Sequence, residues 1–419
     1  MNETKVVTLG CRLNTFESEV MAAAAHEAGL ADTVIVNTCA VTAEAERQSR
    51  QTIRRVRRQQ PSSKIVVTGC AAQVNPGGFA SMPEVDRVVG NADKLRPSAL
   101  AGISGRAMIW SHMMTAKAGP SRMIGGLHGR TRAYLQIQQG CDHRCTFCIV
   151  PLARGPSRSL PARSIIEQAR HLTANGYREV VLTGVDISSY GADLPGRPTL
   201  GGLAASLLAQ AGEIKRLRFS SLDPAVMDTA LIELLAENDR LMPHLHLSLQ
   251  AFDDVILKRM KRRHRRADIE RLCQTLRRAR PDVVFGADLI AGFPTETGAM
   301  FKNTLSAIAG LGLTYLHVFP FSPRPGTPAQ RMPPAPGGVG KQRATRLRAA
   351  GEAALTRFLA ARIGETAQVL VEKERFGHSR RFAPVRLAFD AAPGSIVETR
   401  VESAADGHLL GAKPGMQKP

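Results

Sequence analysis

The stretch GCDHRCTFC, residues 140–148, holds three cysteines, Cys141, Cys145 and Cys148, at spacings of four and three residues. Zinc sites and ordinary iron–sulfur clusters usually take four protein ligands, so three thiolates leave one coordination position without a cysteine. In catalytic metal centres an open position of this kind binds a small molecule. The spacing therefore favours a cluster whose fourth ligand is a small chelating molecule.

Two other kinds of site are compatible with the same residues. CTFC alone is the pattern of a dithiol redox pair, but Cys141 and the position of the stretch after a strand speak against it. A zinc site with its fourth ligand elsewhere is the second alternative. Asp142 and His143 lie between the cysteines, yet adjacent side chains point apart, and we expect His143 to be a loop residue rather than a ligand.

Three more cysteines close apolar runs near the N-terminus. The runs are VVTLGC (6–11), DTVIVNTC (32–39) and SKIVVTGC (63–70), separated by helical patterns at 15–30 and 43–59. Strands that alternate with helices predict a doubly wound parallel sheet. Cys11, Cys39 and Cys70 would then follow the carboxyl ends of neighbouring strands, where open α/β sheets bind ligands. Single buried cysteines are common, but this threefold pattern predicts a second three-thiolate site.

A second series of strands and helices begins at residue 134. The candidate strands are YLQIQ (134–138), REVVLTGVD (178–186), RLRFSSLD (216–223), HLHLSLQ (244–250), VVFGADLIAGFP (283–294) and YLHVFPF (315–321). An eight-unit barrel needs roughly 250 residues, so six units predict an open (β/α)6 partial barrel. The cysteine stretch and the motifs TGVD, SLQ and AGFP fall at strand ends, on the face where barrel enzymes carry their sites.

The C-terminal residues have a different pattern. After a Pro/Gly-rich stretch (323–340) and an amphipathic helix, short strand patterns at 366–374, 381–389 and 394–403 are typical of a small β-barrel. We therefore predict an N-terminal α/β domain (1–105), a linker (106–126), the partial barrel (127–362) and a C-terminal β-barrel (363–419).

Charge and cysteine usage narrow the partners and the compartment. A net charge of +20, from 56 Lys and Arg against 36 Asp and Glu, favours a polyanion such as nucleic acid. The basic stretches are the 43–59 helix, with Arg47, Arg50, Arg54 and Arg58 on one face, and KRMKRRHRR (258–266); a solvated helix face is the alternative for each. Seven cysteines without a signal-peptide pattern argue against disulfides, and no long apolar run is present. We expect a cytoplasmic protein without a membrane span.

Cys-x3-Cys-x2-Cys after the first strand of a partial barrel, with Phe147 before the last cysteine, resembles the radical S-adenosylmethionine (SAM) superfamily. The resemblance implies a 4Fe-4S cluster whose open iron is chelated by SAM, and cleavage of SAM to a 5′-deoxyadenosyl radical. TGVD (183–186) stands where the family has a Gly-Gly-Glu-type motif for the SAM amino group. Gly184 matches the first glycine, Val185 replaces the second, and Asp186 supplies the acid.

Two later strands resemble further SAM contacts of that family. Ser248 and Gln250 resemble ribose-contacting residues, and Ile290 with Gly292 resembles the adenine-contacting strand. Plain barrel packing is the alternative for each of them. The chain departs from the family at Ala251 and Phe252, where Ser-Gly is usual, which puts the loop beside the SAM pocket in question.

With Cys11, Cys39 and Cys70 before the barrel and a TRAM-like module after it, the chain resembles the methylthiotransferase family over nearly its whole length. The resemblance implies a second 4Fe-4S cluster for sulfur donation and the use of two SAM molecules. It implies as partners the tRNA anticodon stem-loop, an electron donor such as flavodoxin or ferredoxin, and a sulfur source. NTCAVT, CTFCIVPLARGPSRS and VFPFSPRPGTPAQRM look closest to the tRNA threonylcarbamoyladenosine methylthiotransferases, whose substrate nucleoside lies at position 37.

The substituent of that nucleoside ends in a carboxylate, which favours an arginine partner, and Arg154 and Arg158 are the candidates. The same chemistry on isopentenyladenosine tRNA or on a ribosomal-protein aspartate is an alternative. A non-catalytic, two-cluster electron-transfer protein that binds RNA is an alternative of another class. His244 and His246 should line the barrel as a core pair, and Cys273 should be a core residue.

Overall fold

The computed structural model describes residues 4–100, 107–115 and 123–415, and its first part is a parallel sheet in the order β1-β2-β3-β4-β5. The elements of this part are β1 (Lys5–Thr8), α1 (Arg12–Glu27), β2 (Thr33–Thr38), α2 (Ala43–Gln59), β3 (Lys64–Gly69), α3 (Cys70–Val74), α4 (Pro76–Ala80), β4 (Arg87–Val89), α5 (Pro97–Leu100) and β5 (Ala107–Ile109).

Helices cover both faces of this sheet because successive strand residues point to opposite sides. On β2, Val34 and Val36 pack with Ile53 of α2, whereas Ile35 packs with Met21 of α1. The predicted doubly wound arrangement is confirmed.

The segment interpreted as a linker contributes to the sheet. Ala107–Ile109 pairs in parallel with β4 and forms the edge strand β5. Residues 106 and 116–122 of this segment, and residues 101–105 before it, lie outside the described residues.

The second part is the predicted partial barrel, with six parallel main strands. Its elements are β6 (Arg132–Gln136), β7 (Gln138–Gln139), α6 (Val150–Arg154), β8 (Arg158–Ser159), α7 (Ala162–Ala174), β9 (Glu179–Thr183), α8 (Leu200–Gln210), β10 (Arg216–Phe219), α9 (Thr229–Glu237), β11 (His244–Gln250), α10 (Asp254–Arg259), α11 (Arg266–Ala279), β12 (Val284–Ala291), α12 (Gly298–Gly310), β13 (Leu313–Pro320) and α13 (Val339–Ala360). The strands form two sheets, β10-β9-β6 and β11-β12-β13. Single bridges, Leu217–Leu241 and Leu222–Leu247, join them into one open wall.

The third part is a closed barrel in the order β14-β15-β16-β18-β17, as predicted for a TRAM-like module. Its strands are β14 (Thr366–Lys373), β15 (Phe376–Ser379), β16 (Pro384–Leu387), β17 (Ile396–Ala405) and β18 (His408–Ala412). Among the described residues, no helix offers an apolar span sufficient to traverse a lipid bilayer.

The C-terminal barrel docks against the lower end of the partial barrel. Arg216 and Arg218, at the start of β10, donate to backbone carbonyls of the small barrel, including those of Gln368 (2.9 Å) and Ser379 (2.8 Å). Phe382 reaches between the two parts and stacks on His244 with ring centroids 4.8 Å apart. The small barrel therefore closes the partial barrel from below.

Phe382→Ala should reduce the free energy of unfolding by about 2–3 kcal/mol, because the ring loses its stacking partners and a cavity replaces it. Urea unfolding of the full chain measures this. The control is Arg386→Ala on the exposed side of β16, where a change within about 0.5 kcal/mol is expected. Equal effects of the two substitutions would show that the ring does not hold the docked barrel.

Candidate active site

The loop that carries Cys141, Cys145 and Cys148 follows β6 and is fixed by backbone hydrogen bonds to Met260 and Ala329. The Thr146 N–H donates to the Met260 carbonyl (3.1 Å), and the Ala329 N–H donates to the Thr146 carbonyl (2.9 Å). Phe147 packs into an apolar cluster with Met260 and Phe293. The aromatic residue before the last cysteine therefore anchors the loop at the C-terminal face of the barrel.

The thiols of this loop suit a metal cluster. Burial, together with the charges of Asp186 and the two neighbouring cysteines, raises the pKa of Cys141 to about 12. Burial also raises the pKa of Cys148 to about 11. A thiol with a raised pKa stays protonated at neutral pH when no metal is bound. It loses its proton when it coordinates a metal ion, because the positive charge stabilises the thiolate. Cys273 is buried in the core as predicted and offers no fourth ligand.

The structure brings the N-terminal cysteines to one edge of the five-stranded sheet. Cys11 precedes α1, Cys39 directly follows β2, and Cys70 is the first residue of α3. Burial raises the pKa of Cys39 to about 12, and the charges of Cys70 and Cys11 add to the shift. Gly10 has φ +99°, and a Cβ built on it would lie 3.0 Å from the Cys39 Sγ, so only glycine allows this approach. The proximity suits a second cluster; the ligand roles stay a prediction.

A buried ion network joins the two cysteine triads. Arg154, six residues after Cys148, donates in bidentate fashion to both Glu17 carboxylate oxygens at 2.8 Å, and its exposed fraction is 3%. It also donates to the Asn14 Oδ1 at 2.6 Å. The Lys94 Nζ completes the network, since it lies 2.6 Å from the Glu17 Oε2. Burial alone would raise the pKa of Glu17, but the charges of Arg154 and Lys94 lower it to about 2.

This network corrects the prediction for Arg154. Its guanidinium is buried and fully engaged by Glu17 and Asn14, so it is not available to a substrate carboxylate. Arg158 is also buried, and it donates to the Arg154 carbonyl (2.9 Å) and the Pro156 carbonyl (3.1 Å). Both arginines hold the loop after the cysteines in shape instead of facing the barrel opening.

The TGVD loop lies beside the first triad, as its position in the sequence predicted. Gln138 holds the loop, because its Oε1 accepts from the N–H groups of Val185 (3.1 Å) and Asp186 (2.9 Å). The Asp186 Oδ2 lies 4.0 Å from the Cys141 Sγ and 2.9 Å from the His143 Nε2. Ligand atoms of these three residues fall within 4.8 Å of one another. An acidic group thus lies beside the first cysteine of this triad.

The other residues predicted to contact SAM lie at neighbouring strand ends. Ser248 and Gln250 are half-buried at the end of β11. The Ile290 side chain packs in the apolar cluster that contains Phe147. Gly292 has φ +72°, and a Cβ on it would lie 2.4 Å from the Gly340 Cα. This glycine therefore lets α13 approach the end of β12; the SAM contacts themselves stay predictions.

Ala251 and Phe252, where the chain departs from the family's usual Ser-Gly, lie in the hydrophobic core. Both side chains are buried, and the Phe252 ring carries the Arg266 guanidinium at 5.2 Å. The Phe252 N–H donates to the Thr304 hydroxyl at 3.1 Å. These side chains pack beneath the loop instead of pointing into the barrel opening.

Asp223 and Arg262 belong to the site although the sequence did not single them out. Asp223, after β10, lies 3.3 Å from Arg262 Nη2 and 3.8 Å from the His143 Nε2. Burial would raise the pKa of Asp223, but a hydrogen bond from His264 and the charge of Arg262 lower it. Arg262 Nη1 lies 3.7 Å from the Cys145 Sγ. The sequence could not single out Arg262, because it lies in a run of similar basic residues.

Comparisons with known proteins agree with this arrangement. Residues 135–308 match the model described as the radical SAM superfamily, and residues 3–90 match that of an uncharacterized protein family, UPF0004. The threonylcarbamoyladenosine tRNA methylthiotransferase MtaB of Rickettsia prowazekii is 46% identical, over 97% of this chain and 96% of the relative. The tRNA-2-methylthio-N(6)-dimethylallyladenosine synthase of Novosphingobium aromaticivorans is 34% identical, over 97% and 96%. In fold, the radical S-adenosylmethionine methyltransferase TsrM of Kitasatospora setae superimposes with a TM-score of 0.58 at 15% identity, over 78% of this chain and 77% of TsrM.

Glu17→Gln should cost about 3–5 kcal/mol of unfolding free energy, because Arg154 and Lys94 would stay buried without a counter-charge. The wild-type carboxylate has a pKa below its unfolded value of 4.5, so its contribution is present at neutral pH and is lost as the pH falls from about 4.5 toward 2. Thermal unfolding across that pH range should show this loss in the wild type and not in Glu17→Gln.

The matched control is Glu233→Gln, which removes an exposed carboxylate from α9 and should change stability by no more than about 0.5 kcal/mol. A Glu17→Gln protein as stable as this control would contradict a network that depends on the buried carboxylate.

Proposed function

Because the chain belongs to the radical SAM tRNA methylthiotransferase family, we propose that it methylthiolates carbon 2 of N6-threonylcarbamoyladenosine at position 37 of tRNA. The observation that carries the proposal is the 46% identity, over 97% of the chain, to a relative named for this nucleoside. The reaction would insert a sulfur atom at carbon 2 and transfer a methyl group from SAM to it.

In this proposal each cysteine triad holds one 4Fe-4S cluster and leaves one iron for a ligand that is not protein. A cluster held by Cys141, Cys145 and Cys148 would supply the electron for the reductive cleavage of SAM. The chain's part is to position the reactants. Gly184 and Asp186 would hold the SAM amino group, Ser248 and Gln250 the ribose, and Ile290 and Gly292 the adenine.

The cluster at Cys11, Cys39 and Cys70 would serve sulfur donation. Arg154 supports this assignment because its buried positive charge interacts electrostatically with Cys70 and Cys11. These interactions help to raise the pKa of Arg154 well above its ordinary value, although burial lowers it. Asn91 adds a donor, with its Nδ2 at 3.7 Å from the Cys70 Sγ. A fixed cation and an amide donor suit thiolates that carry the negative charge of a cluster.

The tRNA would reach the site over a basic rim made of the exposed side chains of Lys258, Lys261 and Arg265. This segment touches the first cysteine loop, since the Thr146 hydroxyl donates to the Arg259 carbonyl at 2.8 Å. The α2 arginines fit RNA less well, because Arg47 and Arg50 are paired with Glu44 and Glu46. A flavodoxin or ferredoxin as electron donor and a separate sulfur source complete the proposal.

Cys145→Ala and Cys70→Ala should each retain about half of the wild-type iron after anaerobic reconstitution, since each removes a ligand of one of two clusters. Only Cys145→Ala should lose reductive SAM cleavage, whereas Cys70→Ala should cleave SAM without forming methylthiolated product. Iron analysis and 5′-deoxyadenosine chromatography measure these outcomes. Cys273→Ala, which changes a core cysteine, should keep the full iron content. Undiminished SAM cleavage by Cys145→Ala would reject the assignment.

Incubation with purified tRNAs tests the substrate. We expect methylthiolation of tRNA that carries N6-threonylcarbamoyladenosine and about tenfold to a hundredfold less with isopentenyladenosine tRNA, because the apolar isopentenyl group cannot make the charged hydrogen bonds that a carboxylate makes. Nucleoside mass spectrometry measures both products. Preference for isopentenyladenosine tRNA, modification of a ribosomal-protein aspartate, or RNA binding without SAM cleavage would each replace this proposal.

A further inference from the structure

One buried arginine beside the first cysteine loop has no part in the SAM contacts proposed above. The Arg262 side chain is only 7% exposed, although Lys258, Lys261 and Arg265 of the same basic run are exposed. Moving a guanidinium out of water is costly unless nearby groups compensate its charge. The partners of Arg262 therefore indicate what the buried charge does.

The contacts of Arg262 bring its guanidinium to a cysteine of the triad Cys141, Cys145 and Cys148. The Arg262 Nη2 donates to the Ser248 carbonyl at 2.7 Å and lies 3.3 Å from the Asp223 Oδ2. These two acceptors hold one nitrogen of the group, and the Nη1 donates to the Cys145 Sγ at 3.7 Å. The guanidinium thus contacts a carboxylate through one nitrogen and a cysteine sulfur through another.

The third nitrogen of this group favours an acceptor from outside the chain. The Arg262 Nε is buried and makes no hydrogen bond to the described residues. A buried N–H without an acceptor is destabilising, so a ligand that accepts hydrogen bonds would complete the set of contacts. The sulfur atoms of a 4Fe-4S cluster are acceptors of this kind, and Cys145 is one of the proposed ligands of such a cluster.

A buried cation at this place acts on the reduction of the cluster. Reduction adds one negative charge, and the potential at which it occurs depends on nearby charges and on hydrogen bonds to the sulfur atoms. Arginine keeps its positive charge at neutral pH, and a buried charge is screened little by salt. Arg262 therefore favours the reduced cluster over the oxidised one. The carboxylate of Asp223 has the opposite effect, because its charge is negative.

We propose that Arg262 raises the reduction potential of the cluster at Cys141, Cys145 and Cys148 and so allows a low-potential one-electron donor to reduce it. One electron passes from the donor, which is oxidised, to the cluster, which is reduced, and no bond of the protein forms or breaks. Asp223 holds the guanidinium in place and offsets part of its charge. This inference rests on the proposed function, which assigns the cluster to these three cysteines.

A redox titration followed by electron paramagnetic resonance, in the absence of SAM, tests the proposal. Cys70→Ala is the parent protein, so that only the triad beside Arg262 holds a cluster. Adding Arg262→Gln should make reduction about tenfold less favourable, which is a midpoint potential about 59 mV lower for a one-electron couple. Arg262→Lys keeps the charge and should restore part of this loss. Asp223→Asn should shift the potential in the opposite direction, because it removes the opposing charge.

The matched control is Arg265→Gln in the same parent, which removes an equal charge from an exposed position of the same basic run and should leave the potential unchanged. Equal shifts in Arg262→Gln and Arg265→Gln, or no shift in Arg262→Gln, would overturn the inference while the proposed function stands. If iron analysis shows that Arg262→Gln loses the cluster, the Asp223→Asn variant decides, since an unchanged or lower potential there overturns the inference. A parent protein that assembles no cluster would overturn the proposed function as well.

Discussion

The buried contact between Arg154 and Glu17 sets the geometry on which the site depends. Arg154 ends α6, the short helix that follows Cys148, and Glu17 lies on α1, the helix that follows Cys11. The pair, with Lys94 from the loop after β4, is nearly inaccessible to solvent. Buried charges are costly unless their partners are correctly placed, so this contact permits only one relative arrangement of the two cysteine loops. The proposed roles of the two triads require such a fixed arrangement, because both must act on one base.

The C-terminal barrel is part of the same constraint. Arg216 and Arg218 leave the interior of the partial barrel to bind backbone carbonyls of the small barrel, and Phe382 closes the space between them. A module that could be removed without consequence would not bury arginines in this way. The barrel therefore completes the wall of the active-site space, in addition to any contact that it makes with RNA.

Much of this architecture follows from local patterns in the sequence. The apolar runs that end in Cys11, Cys39 and Cys70 predicted the parallel strands and their common edge, because the carboxyl ends of parallel strands must lie together. Long-range pairing was not predictable in the same way. The residues next to Arg154 in the sequence do not reveal whether it contacts a substrate or another part of the protein. Only the packed structure shows that it binds the carboxylate of Glu17, 137 residues earlier. Phe382 was missed for the same reason, because it matters through its contacts with His244, Arg132 and Arg218 in a different part of the chain.

The central claim is that two clusters, one at each cysteine triad, are held over one shared space. Electron paramagnetic resonance of the reduced, reconstituted wild-type protein tests it most directly, by comparison with the summed spectra of two variants that each retain one triad. The account predicts a wild-type spectrum that is broadened and relaxes faster than the sum, since neighbouring paramagnetic clusters interact through space. A wild-type spectrum that superimposes on the sum of two independent clusters would contradict it.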